Sequence, residues 1–280
     1  MGWVKKDSSE ERIGLLAGQG ELPVQFAKAA ASLNRRVVVI GLEGITDRRV
    51  EAFAGESHYL KLGALEPLVD LLKTRRIRNV VFAGGLPKKE IYNPSLKLDT
   101  GAQKVLASTP NKGDDHLLRA FQWFLRTRCG ARVMDPKFLL KELLASKGVM
   151  TRREPTPAEW QDLRFGFRAA KHIGKSDVGQ TVVVKNGVVV AVEAIEGTDA
   201  AIRRGGDLGN GAVVVVKVAK PRQNLKFDLP CVGPGTLEAL QSVSSTVLGI
   251  ESDKTLMFFK DQMLQKANQE RMTVVGLSSW

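Results

Sequence analysis

Three carboxylates crowd one short segment, Glu193-Ala-Ile-Glu196-Gly-Thr198-Asp199. Such a set suits a hard cation, because Mg2+ takes oxygen ligands and keeps waters for a substrate phosphate. The plainer reading is that Thr198 caps a short helix and Asp199 complements its dipole. Arg203 and Arg204 follow one turn later and suit a phosphate or a solvated helix end equally well. Asp228 stands in Lys226-Phe227-Asp228-Leu229-Pro230. Its apolar neighbours imply partial burial and hence a partner, either a metal or one of the cations Lys217, Lys220 and Arg222.

Two segments of the first half carry similar chemistry. Lys112-Gly113-Asp114-Asp115 opens a helix. Asp114 and Asp115 there read as an N-cap with a dipole-complementing neighbour, or as Mg2+ ligands beside a phosphate-binding lysine. Gly14-x3-Gly18-Gln19-Gly20 lies at a strand-to-helix turn, where glycines let backbone N–H groups approach a phosphate. The spacing differs from the dinucleotide fingerprint, and Glu21 and Pro23 occupy the helix start, so a tight turn without a ligand is the rival reading. No nucleophile motif accompanies these groups. His58, His116 and His172 stand apart from any G-x-S-x-G elbow or Cys-centred motif and are expected to be surface or packing residues.

The elements that must position these groups alternate in type. Apolar strands are expected at Arg12 to Ala17, Arg36 to Ile40, His58 to Leu62 and Asn79 to Ala83, with helices between them. Strands apolar on both faces argue for a parallel sheet covered on both sides, hence a doubly wound, Rossmann-like N-terminal domain, 1–148. Helices are expected at Asp115 to Arg126 and Pro136 to Lys147. The Pro-containing charged stretch 149–157 reads as a linker. The second domain, 158–280, opens with a helix, Ala158 to Ile173. Thr181 to Glu193 then reads as a hairpin turning at Asn186-Gly187, the dipeptide that accepts positive φ at both central positions. A short helix, Asp199 to Arg204, is expected to stop at Gly205-Gly206. A strand at Ala212 to Val218 follows, then helix near Thr236 to Ser244, strand near Thr255 to Phe259, helix Asp261 to Gln269 and strand Met272 to Leu277. This makes a mixed α/β domain.

Composition narrows the function class. With 43% hydrophobic and 26% charged residues the chain is an ordinary globular one. Apolar stretches such as Val188 to Val192 are five residues long, against about 18 for a membrane-spanning helix. The polar Met1 to Glu11 lacks a signal-like apolar run, so a cytoplasmic location is expected. The two cysteines, Cys129 and Cys231, form no disulfide framework or zinc spacing and read as buried or idle thiols. The net charge of +12 is lopsided, with 25 basic and 16 acidic residues through Met150. That asymmetry suits an anionic partner. RNP-like strands and zinc-finger spacing are absent, so nucleic acid is not expected.

The segments GLLAGQGELP, FAGG, NKGDDHLLR, SDVGQTVVVKNGVVVAVEAIEGTDAAIRR and VVVKVAKPRQNLKFDLPCVGPGTLE, in this order, resemble the LpxI-type UDP-2,3-diacylglucosamine pyrophosphatases of lipid A biosynthesis. The likeness runs from Ile13 to Gly276. It implies two α/β domains around a cleft and Mg2+-dependent hydrolysis of a UDP-linked diacyl sugar to UMP and 2,3-diacylglucosamine 1-phosphate, by water attack at the α-phosphorus. It implies that Asp228 is essential; Glu193 and Asp199, at matching motif positions, are expected here as further catalytic groups. Asp228, Glu193, Glu196 and Asp199 become the expected metal ligands. Gly18, Gln19, Gly20, Lys112, Asp114, Asp115, Gln180, Thr198 and Arg203 become the expected substrate contacts. The chain departs from the pattern at Gly85-Leu86-Pro87 and in the extension through Glu11. A lipid substrate and a basic surface imply peripheral contact with the inner membrane, and a homodimer is the base-rate expectation. An NAD-binding oxidoreductase or epimerase, and a non-enzymatic module binding anionic lipid or nucleic acid, are the rival functions.

Overall fold

In the computed structural model, residues 12–86, 90, 93, 95–109, 114–221, 223–227 and 229–278 are described, with the backbone alone for Asp114 and Asp115. The chain divides into two units, Met1–Leu140 with Asn224–Asp228, and Lys141–Gln223 with Leu229–Trp280.

The first unit runs β1 (Ile13–Ala17), α1 (Leu22–Ser32), β2 (Val37–Leu42), a 3-10 turn (Arg48–Phe53), β3 (Glu56–Leu60), α2 (Leu65–Thr74), β4 (Asn79–Ala83), α3 (Thr100–Ala107), α4 (Asp114–Cys129) and β5 (Arg132–Val133). Its five strands are ordered β3-β2-β1-β4-β5, all parallel. This is the doubly wound arrangement expected of strands apolar on both faces. Val38, Ile40, Leu72, Val80 and Leu125 form a core. Phe227, from the segment Asn224–Asp228, joins it with its ring 5.0 Å from that of Phe82. Strand order reverses between β1 and β4, so the ends of these two strands form the switch point at which open α/β sheets bind ligands.

The second unit contains β6 (Gly148–Val149), α5 (Pro157–Lys175), β7 (Thr181–Lys185), β8 (Val188–Val192), α6 (Thr198–Leu208), β9 (Val214–Lys217), β10 (Cys231–Val232), α7 (Pro234–Ser242), β11 (Val247–Glu251), β12 (Leu256–Met257), α8 (Lys260–Gln269) and β13 (Thr273–Leu277). Six strands make a mixed sheet, β6-β13-β11-β9-β7-β8, and β10 pairs with β12. Period-two alternation sorts the valines: Val182, Val184 and Val216 pack with Leu163 and Phe167 of α5. Val183 and Val215 pack on the other face with Ile202 of α6 and Leu237 and Leu240 of α7. The hairpin turns at Asn186 (φ 50°) and Gly187 (φ 78°) as its dipeptide requires.

Several elements differ from the sequence reading. The stretch 149–157 is no free linker. β6 pairs with β13, Met150 N–H donates to the Val274 carbonyl, and Arg153 reaches Thr273 and Glu159, so the division between units falls at Leu140 instead. Pro136 to Lys147 forms two 3-10 turns, Pro136–Phe138 and Lys141–Leu143, separated where Leu140 is buried. Helix α6 passes through Gly205-Gly206. Side chains there would lie 2.6 Å from Val183 Cβ and 2.2 Å from Val243 Cβ, so these glycines allow close packing. Strand β11, in the middle of the sheet, was not expected. Cys129 and Cys231 are half-buried and not joined in a disulfide, and among the described residues no helix is long and apolar enough to cross a membrane.

Candidate functional site

The glycine turn of the first unit is an interlocked structure. Gly18 N–H donates to the Ala83 carbonyl and Gln19 N–H to that of Gly85, at 2.8 Å each. A side chain at Gly18 would lie 2.3 Å from Gly85 O, and one at Gly84 would lie 2.4 Å from Gln19 O. Gly14 serves packing, since a Cβ there would lie 2.9 Å from Ile77 Cγ2. Glu21 stands at the start of α1, held by Gln25 at 2.9 Å and Arg49 at 3.0 Å. Two of the turn's N–H groups are thus spent on backbone pairing, and a carboxylate stands near the helix start without capping its N–H groups, adding negative charge where a phosphate would bind. Only Gly20, with φ 94° and open space at its Cα, keeps the features of a cradle.

In the second unit β7 begins where β8 and β9 end, which gathers distant residues. Glu193 N–H donates to the Thr181 carbonyl and Val218 N–H to that of Gln180, while Thr181 lies directly opposite Lys217. Gly179 permits the closure, because a Cβ there would lie 1.8 Å from Glu193 O. Directly opposed residues project to one sheet face, so Thr181 and Lys217 share the face on which Val183 meets α6. Thr198 reaches this group from the first turn of α6. Its hydroxyl donates to Glu193 Oε1 at 2.7 Å and accepts from Lys217 Nζ at 2.8 Å. Thr198 is therefore a bridge between two charges, and Gly197 (φ 86°) takes the N-cap position expected of it.

This group is short of donors. Glu193 is 8% and Lys217 7% exposed. Glu193 Oε2, Gln180 Oε1 and Thr181 Oγ1 are buried without a hydrogen-bond partner. Burying such acceptors unpaired is costly, which points to a ligand donating hydrogen bonds or a cation.

The other expected groups scatter. Glu196 is exposed, its Oε1 bound by Arg204 at 2.6 Å and its Oε2 by Ala194 N–H at 3.0 Å. The guanidinium holds its carboxyl below the usual range. Arg204 also donates to the Val192 carbonyl. Both residues therefore pin the loop between β8 and α6, which removes Glu196 from the expected ligand set. Arg203 is exposed on α6. Asp199 lies in the first turn of α6, with Oδ2 3.7 Å from where a Cβ of Gly235 would stand, beside the first turn of α7. It complements two helix dipoles. Asp228, Lys112 and Arg222 lie outside the described residues, as do the side chains of Asp114 and Asp115 at the start of α4. Among the described residues no three His, Cys, Asp or Glu side chains converge as a metal site. What fits Mg2+ is the donor chemistry of Glu193 Oε2 and Gln180 Oε1, two buried oxygens lacking partners.

Sequence reasoning missed two cationic groups. Lys217 entered it only as a partner for Asp228, although a lysine within the apolar run Val213 to Val218 was the available signal. Lys171 went unmarked. It bonds Glu251 Oε2 at 2.5 Å and the Ala219 carbonyl at 2.7 Å. Glu251 also accepts from Ala219 N–H and Lys254. Burial pulls the Lys171 ammonium below its ordinary range and Glu251 opposes it. His58 pairs with Glu56, and His172 Nδ1 lies 2.9 Å from the Arg168 carbonyl oxygen. An open cavity of about 500 Å3 beside Arg152, Asp261 and Asn268 contains none of the expected residues.

Comparison with known proteins covers both units. The family model described as LpxI N-terminal domain matches residues 12–143, and that described as LpxI C-terminal domain matches 146–275. The UDP-2,3-diacylglucosamine pyrophosphatase LpxI of Caulobacter vibrioides is 28% identical over 95% of this chain and 97% of its own length. The bifunctional purine biosynthesis protein PurH of Anoxybacillus flavithermus is 35% identical over 25% of this chain and 14% of its own. Among solved structures, leucoanthocyanidin reductase with NADPH from Vitis vinifera has 16% identity and a TM-score of 0.26, over 53% of this chain and 41% of that one. A likeness that weak bears on neither fold nor function.

Proposed function

The chain belongs to the LpxI family through both of its units, and on that premise we propose that it hydrolyses the pyrophosphate bond of UDP-2,3-diacylglucosamine to UMP and 2,3-diacylglucosamine 1-phosphate, a step of lipid A biosynthesis. The observation that carries this reading is the buried Glu193–Thr198–Lys217 group with its unpartnered Glu193 Oε2. Cleaving a phosphoric anhydride requires an oriented water and neutralisation of charge on phosphate oxygens, and needs no covalent nucleophile. A carboxylate with one unpartnered oxygen can hold a cation beside such a water, and Thr198 fixes the orientation of that carboxylate.

Mg2+, when bound, would supply charge neutralisation at the phosphates. Glu193 Oε2 and Gln180 Oε1 are the described groups suited to hold it; Asp228 is the residue that the family motif implies to be essential. Peripheral membrane contact is part of the same proposal. Trp123 is 67% exposed on α4, with Arg119 and Arg126 one turn away on either side. An amphipathic ring between cations suits the headgroup level of an anionic bilayer.

The test is UMP release from UDP-2,3-diacylglucosamine by the purified protein, with Mg2+ and then with EDTA, beside UDP-N-acetylglucosamine. Metal-dependent release from the acylated substrate alone is expected. Equal release from both would remove the lipid from the reading, and release from neither would refute it.

A further inference from the structure

Half-buried Lys171 and buried Lys217 of the second unit are held in opposite ways. Lys171 is saturated by a direct carboxylate partner, Glu251, and a backbone carbonyl. Lys217 is more deeply placed, at 7% exposure, yet among the described residues its partner is the neutral hydroxyl of Thr198, and no carboxylate lies within ion-pair distance of it. That hydroxyl's one proton is committed to Glu193 Oε1. Thr198 therefore meets Lys217 through a lone pair and supplies no counter-charge. An ammonium buried without a direct anion among the described residues is strongly disfavoured by desolvation. A position that carries such a cost is characteristic of function and not of folding.

We infer that Lys217 is a phosphate-binding residue of the active site, with a phosphoryl oxygen of a nucleoside diphosphate as its counter-ion. This deepens the pyrophosphatase reading and rests on it for the substrate class. The position agrees with the role: Lys217 ends β9 at the sheet edge that also carries Glu193 and Gln180, whose unpartnered oxygens suit a cation. Anion and cation subsites then lie side by side, as a metal-bound diphosphate requires.

The probe is UDP titrated into wild type and Lys217→Met by calorimetry with Mg2+ present, with thermal unfolding of both proteins in parallel. Removing a buried ion that has no direct anionic partner relieves its desolvation cost, whereas removing one partner of a buried ion pair is strongly destabilising. The variant should therefore melt at or above the wild-type temperature while its UDP affinity falls about 10- to 100-fold, the worth of a charge-assisted hydrogen bond. Unchanged UDP affinity would overturn the assignment, and so would a variant melting well below wild type, which would make the lysine structural. Wild type that releases UMP, together with unchanged UDP binding by Lys217→Met, refutes the lysine's role alone. Wild type that releases none refutes the pyrophosphatase reading, whatever the binding shows.

Discussion

Replacing Thr198 with valine keeps the side chain's shape and removes the hydroxyl that joins Lys217 to Glu193. Two hydrogen bonds disappear, of 2.7 and 2.8 Å, each to a charged and buried partner. Bonds of that kind are worth about 1.5–3 kcal/mol apiece. No cavity forms, and partial rearrangement of the two charges toward each other recovers some of the loss, so about 2–4 kcal/mol of destabilisation is expected. For a unit of this size roughly 3 °C accompanies each kcal/mol, which places the fall in melting temperature at about 6–12 °C. Circular dichroism with urea and heat measures it. In a Lys217→Met background one of the two bonds is already absent, so the same substitution should cost about half as much. A Thr198→Val protein within about 0.5 kcal/mol of wild type would show that the bridge contributes nothing.

Gly206→Ala should destabilise by about 1–3 kcal/mol through overpacking against Val243; helix propensity alone predicts a gain of about 1 kcal/mol, so urea unfolding decides between them. Burial acts to raise the Glu159 carboxyl, but Arg153 and the Thr156 N–H outweigh it and hold the group below 4.5. Its stabilising contribution is therefore complete above that pH and fades as pH falls through the lower folded value. Acid unfolding of Glu159→Gln should accordingly be less steep than wild type below pH 4.5, and an identical acid limb would count against the argument. Trp123→Ala should weaken sedimentation with anionic phosphatidylglycerol vesicles and leave UMP release from detergent-dispersed substrate unchanged; undiminished sedimentation would place the membrane contact elsewhere.

How much of this was legible depended on distance along the chain. The hairpin at Asn186-Gly187 and the parallel sheet follow from local spacing, and both appear as read. Strand β11 escaped because Gly249 interrupts its apolar run. That glycine is required by Leu163 and Leu277, which would lie 2.6 and 2.7 Å from a Cβ there. Gly205-Gly206 looked like a helix stop for the same reason: a packing glycine and a terminating glycine are one letter. Within the site, Glu193 and Thr198 were found because they are near neighbours in sequence. Lys217 and Thr181 become their neighbours through strand pairing, which no local spacing encodes. Glu196 was misjudged because carboxylate spacing does not show that Arg204 returns to claim it.

Phe227 closes the core of the first unit from a segment flanked on both sides by the second. The two halves therefore do not correspond to two contiguous stretches of gene. A fragment cut near residue 143 would leave Phe82 without one of its two aromatic neighbours. The remaining fragment would carry a stranded phenylalanine beside the motif aspartate. Fission, fusion or shuffling of either half into another protein would sever that connection, so the halves are constrained to be inherited together in a single chain.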